Sequence, residues 1–257
     1  MNLFHAIILG VVEGVTEFLP ISSTGHMILI STILRIPQTE FAKTFEIVIQ
    51  LGAIMAVAWI YMKTLLTKRV LWRTLIAAFI PTSIIGFIAY KTVKQFLLGN
   101  PMVTVIALGL GGVAFYLIEY FLKNRTLKTI TMEKITISQA ILIGFGQSVS
   151  IIPGVSRAAA SIFTGMIAGL SRQTAVEFSF LLAIPTMVAA SVLDIMKSKP
   201  FIDGRLFLPV IVGTAVAFVI ATITVKLFLK YVQHHTFLPF AIYRIVLALG
   251  FWYFLLR

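Results

Sequence analysis

The stretch Gly-Val-Val-Glu-Gly-Val-Thr-Glu-Phe-Leu-Pro-Ile-Ser-Ser-Thr-Gly-His, residues 10–26, places two carboxylates inside an apolar segment and follows them with a polar turn. Glu13 and Glu17 lie four residues apart, so they share one face of a helix. Pro20 ends that helix, and three hydroxyls and the imidazole of His26 follow it. An ionisable side chain at membrane depth is costly and by default marks a functional site. The stretch therefore predicts a buried site able to hold a metal ion and a phosphate group.

The composition predicts that this site lies in a bilayer. Of the 257 residues, 59% are hydrophobic and only 12% are charged, and the mean hydropathy is +1.02. Several apolar runs reach the roughly 20 residues that a spanning helix needs. The net charge of +12 comes from basic residues between these runs, which favours contact with anionic membrane lipids and no nucleic-acid partner. The chain has no cysteine, which excludes disulfides and thiolate metal sites.

The pattern along the chain predicts an all-α polytopic membrane protein with six spans and two broken segments. The spans are expected near residues 44–62, 74–92, 102–122, 175–196, 206–228 and 238–256. Residues 3–35 and 138–169 are apolar at both ends and interrupted by Pro, Gly and Ser. Non-helical backbone at membrane depth is tolerated only where protein or water covers it. We interpret both as re-entrant helix–loop–helix pairs; the alternative is one kinked transmembrane helix in each.

An internal repeat supports this interpretation. Pro20 and Ser23 match Pro153 and Ser156 at an offset of 133, while Gly10 and Glu13 match Gly144 and Gln147 at 134. A single membrane domain, 1–257, would then contain two halves at about 1–100 and 133–257. Each half would hold one re-entrant pair and three spans, and because three is odd the second half is inverted, as in many transporters.

The basic residues predict the orientation of the chain. Eleven Lys and Arg fall in the loops expected on the cytoplasmic side: Lys63, Lys68, Arg69, Arg73, Lys123, Arg125, Lys128, Lys134, Arg172, Lys226 and Lys230. Eight fall on the other side: Arg35, Lys43, Lys91, Lys94, Lys197, Lys199, Arg205 and Arg257. The bias puts both termini outside and opens the first re-entrant pair to the outside.

The first polar turn offers several kinds of chemistry. Glu13 and Glu17 could ligate Mg²⁺ or Ca²⁺, one of them could act as a general base, or both could be structural carboxylates. Ser22 or Ser23 is placed to cap the next helix, whose free N–H groups favour an anion; Thr24 adds a third hydroxyl. His26 could be an acid, a base or a nucleophile, or a structural residue.

A second polar turn, residues 153–161, supplies the complementary charge. Gly154 lets backbone approach a ligand, Ser156 offers a hydroxyl, and Arg157 has a planar fork suited to phosphate oxygens. Arg157 could form a phosphate clamp with the two glutamates through a cation, or an ion pair with one of them. Gln147 and Ser161 are weaker candidates for the same site. Four other charged residues in apolar runs are expected to be structural or interfacial: Glu46, Glu177, Asp194 and Arg244.

These residues resemble the undecaprenyl-diphosphate phosphatases of the bacitracin-resistance type over nearly the whole chain. The first motif of that family, Glu/Gln-x-x-x-Glu, matches Glu13 and Glu17, and the second, Pro-Gly-x-Ser-Arg-Ser-x-x-Thr, matches residues 153–157. Residues 43–46, Lys-Thr-Phe-Glu, and 239–244, Pro-Phe-Ala-Ile-Tyr-Arg, match as well. Two positions depart from the second motif: Ala158 replaces its Ser and Ser161 replaces its Thr.

The resemblance implies a bacterial inner-membrane hydrolase that converts the polyprenyl diphosphate of the cell-wall lipid carrier to the monophosphate and inorganic phosphate. It implies a divalent cation, Mg²⁺ or Ca²⁺, at Glu13 and Glu17, and catalytic roles for Glu17, Ser23, His26 and Arg157. Attack could come from Ser23, from His26 or from a cation-bound water. Substrate contacts are expected from Ser22, Thr24, Gln147, Gly154, Ser156 and Ser161. A transporter or flippase of polyprenyl phosphate is the alternative function, and a homodimer is a candidate assembly.

Overall fold

The protein is a bundle of helices. The computed structural model describes residues 1–37, 39–97, 100–122, 131–197 and 207–255. Within these ranges the α-helices are α1 Leu3–Thr16, α2 Ser23–Ile33, α3 Glu40–Thr67, α4 Val70–Thr92, α5 Pro101–Leu122, α6 Ile137–Ser148, α7 Arg157–Ile167, α8 Arg172–Lys197, α9 Phe207–His234 and α10 Leu238–Leu255. A π-helical turn, Val93–Leu97, follows α4, and two 3₁₀ turns, Met132–Lys134 and Val149–Ile151, flank α6. The all-α prediction is confirmed.

In the described part of the chain, five helices are long and apolar enough to cross a membrane: α3, α4, α5, α8 and α9. They correspond to five of the six predicted spans, so the protein is an integral membrane protein. The sixth predicted span falls on α10, which is apolar but shorter, at Leu238–Phe254. A count of six spans therefore stays a prediction.

The two broken segments each form a pair of short helices. The four helices have 14, 11, 12 and 11 residues. At about 1.5 Å per residue each is roughly 16–21 Å long, shorter than the ~30 Å hydrocarbon core. Gln139 at the start of α6 donates to the Ala168 carbonyl after α7, at 2.9 Å, which closes the second pair into a hairpin. The helix–loop–helix shape is thus confirmed, and entry and exit through one membrane face stays a prediction.

One end of the bundle collects the loops that the sequence assigns to the cytoplasm. Lys68, after α3, forms an ion pair with Glu133, before α6. The hydrogen bond from Lys68 lowers the pKa of Glu133 to about 2, so the Glu133 carboxylate stays ionised at neutral and mildly acidic pH. Glu119 of α5 binds Arg172 of α8 at 2.6 Å and accepts from the Phe237 N–H before α10 at 2.9 Å. These contacts join the loop after α3 to the turn before α6, and join α5 to the starts of α8 and α10; that all these loops lie on one side of a membrane stays a prediction.

The first helix of each pair packs against a long helix of the other half. α1 lies on α9, and α6 lies on α4. Gly10 makes the first approach possible, since a Cβ there would lie 2.6 Å from the Gly213 carbonyl oxygen. Gly144 likewise allows α6 to approach α4, because a Cβ at this position would collide with the Ala78 carbonyl. Close backbone approach through small residues is how helices pack in lipid.

The ten helices could form two halves, α1–α5 and α6–α10. The first half would then end at Leu122, later than the predicted residue 100. The backbone conformation of the two turns changes one predicted match between the halves by one residue. Ser22 and Ser156 are the N-caps of α2 and α7, with unusual φ angles of 73° and 74°. Ser22 therefore corresponds to Ser156, at the offset of 134 already found for Gly10 and Gly144, and Ser23 corresponds to Arg157. The repeat itself stays a prediction.

Candidate active site

The two polar turns meet at the carboxylate of Glu17. The Ser23 hydroxyl donates to Glu17 Oε2 at 2.6 Å, and Arg157 Nη2 donates to Glu17 Oε1 at 3.1 Å. Ser23 is the first residue of α2 and Arg157 the first residue of α7, so two helix N-termini converge on one buried carboxylate. The first-turn N–H groups of a helix have no intrahelical partner, and the dipole there favours negative charge. The arrangement suits an anion bound beside Glu17.

Arg157 is held from behind by residues that the sequence did not single out. Its Nη1 donates to the Ser179 carbonyl at 3.0 Å, and its guanidinium carbon lies 5.6 Å from the centre of the Phe18 ring. Its Nε has no partner among the described residues. The Arg157 side chain is 12% exposed, so little water competes for it. A backbone carbonyl or an aromatic ring that contacts a distant residue leaves no periodic pattern or motif in the sequence. The contacts of Ser179 and Phe18 with Arg157 are therefore visible only in the structure.

Glu13 is the second carboxylate, one turn before Glu17, and it is fully buried. No N–H or hydroxyl group of the described residues donates to its oxygens, and the carboxyl group of Glu17 lies close enough to share a hydrogen bond with it when one of the two carries a proton. It lies in the electrostatic field of Glu17, Glu46 and Arg157. A buried carboxylate without a donor needs a cation or a proton. The donor set of Glu13 and Glu17 therefore fits a hard divalent cation, although the described residues contain no cluster of three acidic or His side chains around it.

His26 lies one turn into α2 and uses both ring nitrogens. Nδ1 is 2.8 Å from the Ser22 carbonyl oxygen, and Nε2 is 2.7 Å from the Tyr243 hydroxyl on α10. The imidazole and phenol rings are nearly parallel, with centres 5.6 Å apart. His26 thus lies three residues after Ser23, while the Ser23 hydroxyl is directed to Glu17. Tyr243 belongs to the stretch 239–244 that resembles the family, but nothing in the sequence indicated that it contacts His26.

Three predicted substrate contacts shape the backbone of the turns. The Ser22 and Ser156 hydroxyls cap their helices, accepting from Gly25 N at 3.4 Å and Ala159 N at 3.2 Å. Gly154 has φ 96°, and a Cβ there would collide with the Thr104 carbonyl, so only glycine fits. Thr24, another predicted substrate contact, is exposed at the start of α2.

Neither Gln147 nor Ser161 forms a described hydrogen bond with the side chains of Glu17, Ser23 or Arg157. Gln147 Nε2 donates to Thr82 Oγ1 at 3.3 Å, and its Oε1 has no described partner. The Ser161 hydroxyl lies 2.6 Å from the Ser179 hydroxyl and 2.9 Å from the Arg157 carbonyl oxygen. Ser161 therefore supports the segment that holds Arg157.

Arg244 is the fully buried cation between the two turns. Its guanidinium donates to five carbonyl oxygens, those of Pro20, Ala107, Leu108, Gly154 and Val155. Arg244 thereby ties both polar turns to α5, and the expectation of a structural role is confirmed. Of the other charged residues in apolar runs, Glu46 accepts from Ser31 at 3.3 Å and Glu177 from Gln173 at 2.9 Å. The side chain of Asp194 lies outside the described residues.

Together these groups can perform phosphoryl chemistry. A hydroxyl is directed at a carboxylate that can take its proton, a guanidinium and two helix N-termini supply positive charge, and a free carboxylate is available for a cation. These are the parts that transfer of a phosphoryl group to a hydroxyl requires.

Comparison with known proteins agrees with the geometry. Residues 6–250 match the family described as bacitracin resistance protein BacA. A protein from Wolinella succinogenes named undecaprenyl-diphosphatase is 47% identical over 255 residues, covering 99% of each chain. Proteins of the same name from Persephonella marina and Aquifex aeolicus are 46% and 45% identical, over 100% and 97% of this chain and of each relative. The chain therefore belongs to the bacitracin resistance protein BacA family.

Proposed function

We propose that the chain is an integral membrane phosphatase that hydrolyses undecaprenyl diphosphate to undecaprenyl phosphate and inorganic phosphate. The observation that carries the proposal is the carboxylate of Glu17, which accepts hydrogen bonds from the Ser23 hydroxyl and the Arg157 guanidinium together. The relatives that align over nearly their full length bear the name of this activity.

In the first step the Ser23 oxygen attacks the terminal phosphorus while its proton moves to Glu17. The bond from that phosphorus to the bridging oxygen breaks, and the lipid monophosphate leaves with the bonding electrons. Arg157 and the N-termini of α2 and α7 stabilise the charge on the transferring group. Water then cleaves the phosphoserine, giving inorganic phosphate, and the Ser23 hydroxyl is restored. His26 is a weaker candidate nucleophile because both of its ring nitrogens already have partners.

A divalent cation fits this site through Glu13 and Glu17. When bound, it would neutralise diphosphate charge next to the two carboxylates. The unpartnered oxygens of Glu13 support this assignment, since the described part of the chain provides no hydrogen-bond donor to them. The substrate phosphates would supply further oxygen ligands.

The lipid tail has an apolar path beside the second polar turn. A groove of about 580 Å³ opens between α5 and α7, lined among others by Ile106, Leu110, Val155 and Ile167. Arg244 borders the same groove while binding both turns. A polyprenyl chain could lie there in contact with membrane lipids while its head group reaches the polar site.

A flippase is the second candidate, and it is not favoured. It rests on the predicted inverted repeat, which hydrolysis does not need. Transport of an anion requires positive charge, but not a hydroxyl hydrogen-bonded to a carboxylate. The names of the relatives also favour hydrolysis.

The direct test is phosphate release by the purified protein in detergent. We expect release from undecaprenyl diphosphate and none from undecaprenyl phosphate, because only the first has a phosphoanhydride. Excess chelator is expected to abolish release, and Mg²⁺ or Ca²⁺ to restore it, since the carboxylates would otherwise repel the substrate. No release from the diphosphate under any condition would refute the hydrolase; full activity in chelator would leave Glu13 and Glu17 as acid–base groups.

We place the active site at the outer face of the bacterial inner membrane. Among the described residues, the end of the bundle that holds Lys68 and Arg172 carries more Lys and Arg than the opposite end, which favours the cytoplasm. Since the chain has no cysteine, single ones report the orientation directly. Pro37→Cys, on the opposite end, should react with an impermeant thiol reagent on intact cells, and Thr67→Cys should not. The reverse pattern would move hydrolysis to the cytoplasmic face. A homodimer stays a prediction, to be measured as the mass of the detergent-solubilised protein.

A further inference from the structure

Tyr243 lies outside the set of groups that react with phosphate, yet it makes the closest side-chain contact to His26. Its hydroxyl is 2.7 Å from His26 Nε2, and the two rings are stacked within 7° of parallel. Tyr243 is 43% exposed at the surface of the bundle, whereas His26 is 8% exposed. The phenol therefore reaches inward from α10 to bind an imidazole of α2.

These contacts fix the protonation pattern of His26. A carbonyl oxygen only accepts hydrogen bonds, so Nδ1 carries the proton that is donated to the Ser22 carbonyl at 2.8 Å. In the neutral ring Nε2 is then an acceptor, and the Tyr243 hydroxyl donates to it. The imidazole is held in one tautomer and one orientation.

The Ser22 carbonyl matters because of its position in the chain. Ser22 has φ 73°, a conformation that side-chain-bearing residues rarely adopt, and it directly precedes Ser23. Its backbone orientation sets the direction in which Ser23 leaves the turn. The neighbour of Tyr243, Arg244, donates to the Pro20 carbonyl at 3.2 Å. Two consecutive residues of α10 thus hold the turn on both sides of Ser22.

We propose that Tyr243 is a positioning residue, which acts through His26 and the Ser22 carbonyl to keep the Ser23 hydroxyl on Glu17. The inference rests on the proposed role of Ser23 as nucleophile. Because the contacts concern the nucleophile and not the lipid, Tyr243 affects turnover rather than substrate affinity.

The first test is Tyr243→Phe, which keeps the stacked ring and removes one hydrogen bond. We expect kcat for undecaprenyl diphosphate to fall about fivefold to tenfold, the usual effect of losing one such bond, with KM unchanged. Tyr116→Phe is the matched control, since Tyr116 is 47% exposed on α5, and its kcat should equal that of the wild type. A higher KM with unchanged kcat would overturn the proposal.

A second measurement reports on His26 without any substrate. The chain has four histidines, so ¹⁵N-histidine labelling gives few signals, and those of His26 are identified by their loss in His26→Gln. The wild type should show a protonated Nδ1 and a hydrogen-bonded, unprotonated Nε2. Tyr243→Phe should shift the Nε2 signal and leave the other three histidines in place. Unchanged His26 signals would overturn the proposal even if the protein proved to have another activity.

The last arm tests whether Tyr243 acts through His26. In a His26→Gln background the Tyr243→Phe change should lower kcat by less than twofold, because the pathway is already broken. A full fivefold to tenfold loss in that background would show that Tyr243 acts by another route, and would refute the inference while leaving the hydrolase intact.

Discussion

Arg157→Ala is expected to lower kcat for undecaprenyl diphosphate by about a thousandfold, the scale reported for a lost charge stabiliser in phosphoryl transfer. The guanidinium is nearly buried, is fixed by the Ser179 carbonyl, and lies 3.1 Å from the Glu17 carboxylate, which also accepts the hydrogen bond from Ser23. Its removal takes away charge at the transferring group. Glu17 would also lose its only ion-pair partner among the described residues. Turnover by purified protein, corrected for the folded fraction, gives the measurement.

The matched control is Arg172→Ala. Arg172 also pairs with a buried glutamate, Glu119, at 2.6 Å, but at the end of the bundle away from the polar turns. This variant should lose stability and keep the kcat of its folded fraction. Arg157→Lys should not recover activity, since an ammonium cannot replace the planar fork between Glu17 and Ser179. Near wild-type kcat in well-folded Arg157→Ala would show that the guanidinium does not act on phosphate.

Ser23→Ala is expected to lower kcat by at least about a thousandfold, because the attacking atom itself is lost. Ser23 is 8% exposed, and its hydroxyl donates to Glu17 Oε2 at 2.6 Å. With substrate labelled at the terminal phosphate, an acid quench should trap a labelled phosphoserine in the wild type and none in Ser23→Ala.

Ser31→Ala is the control for this change. Ser31 lies on the same helix and its buried hydroxyl binds Glu46 instead of Glu17, so turnover should stay near that of the wild type. A parallel quench at alkaline pH preserves phosphohistidine, so a label that is found there, is lost in acid and vanishes in His26→Ala would refute serine attack. Retained turnover in Ser23→Ala without any protein-bound label would favour water as the attacking species.

Sequence reasoning succeeded where hydrophobic length and local chemistry decide the outcome. Five spans were predicted from apolar runs, since a helix that crosses lipid must be apolar over about 20 residues. The breaks at Pro20 and at Pro153-Gly154 were predicted because proline lacks an N–H and glycine permits positive φ. The identity of Glu17, Ser23 and Arg157 as a group followed from the cost of charge at membrane depth and from the family motifs.

Sequence reasoning fell short where contacts join distant residues. The offset of 133 paired Ser23 with Ser156, but the backbone of the two caps pairs Ser22 with Ser156. Matching residues by type cannot detect which of two adjacent serines adopts positive φ.

By itself the sequence determined the class of protein, the two broken segments and the residue types of the site, because each depends on the solvent around a local stretch of chain. Only the tertiary structure decided which atoms meet. It directs the Ser23 hydroxyl to Glu17, pairs both nitrogens of His26 with Ser22 and Tyr243, and leaves the oxygens of Glu13 without an N–H or hydroxyl donor among the described residues. Such pairings join residues up to 217 positions apart, and they are set by how α2, α7 and α10 pack.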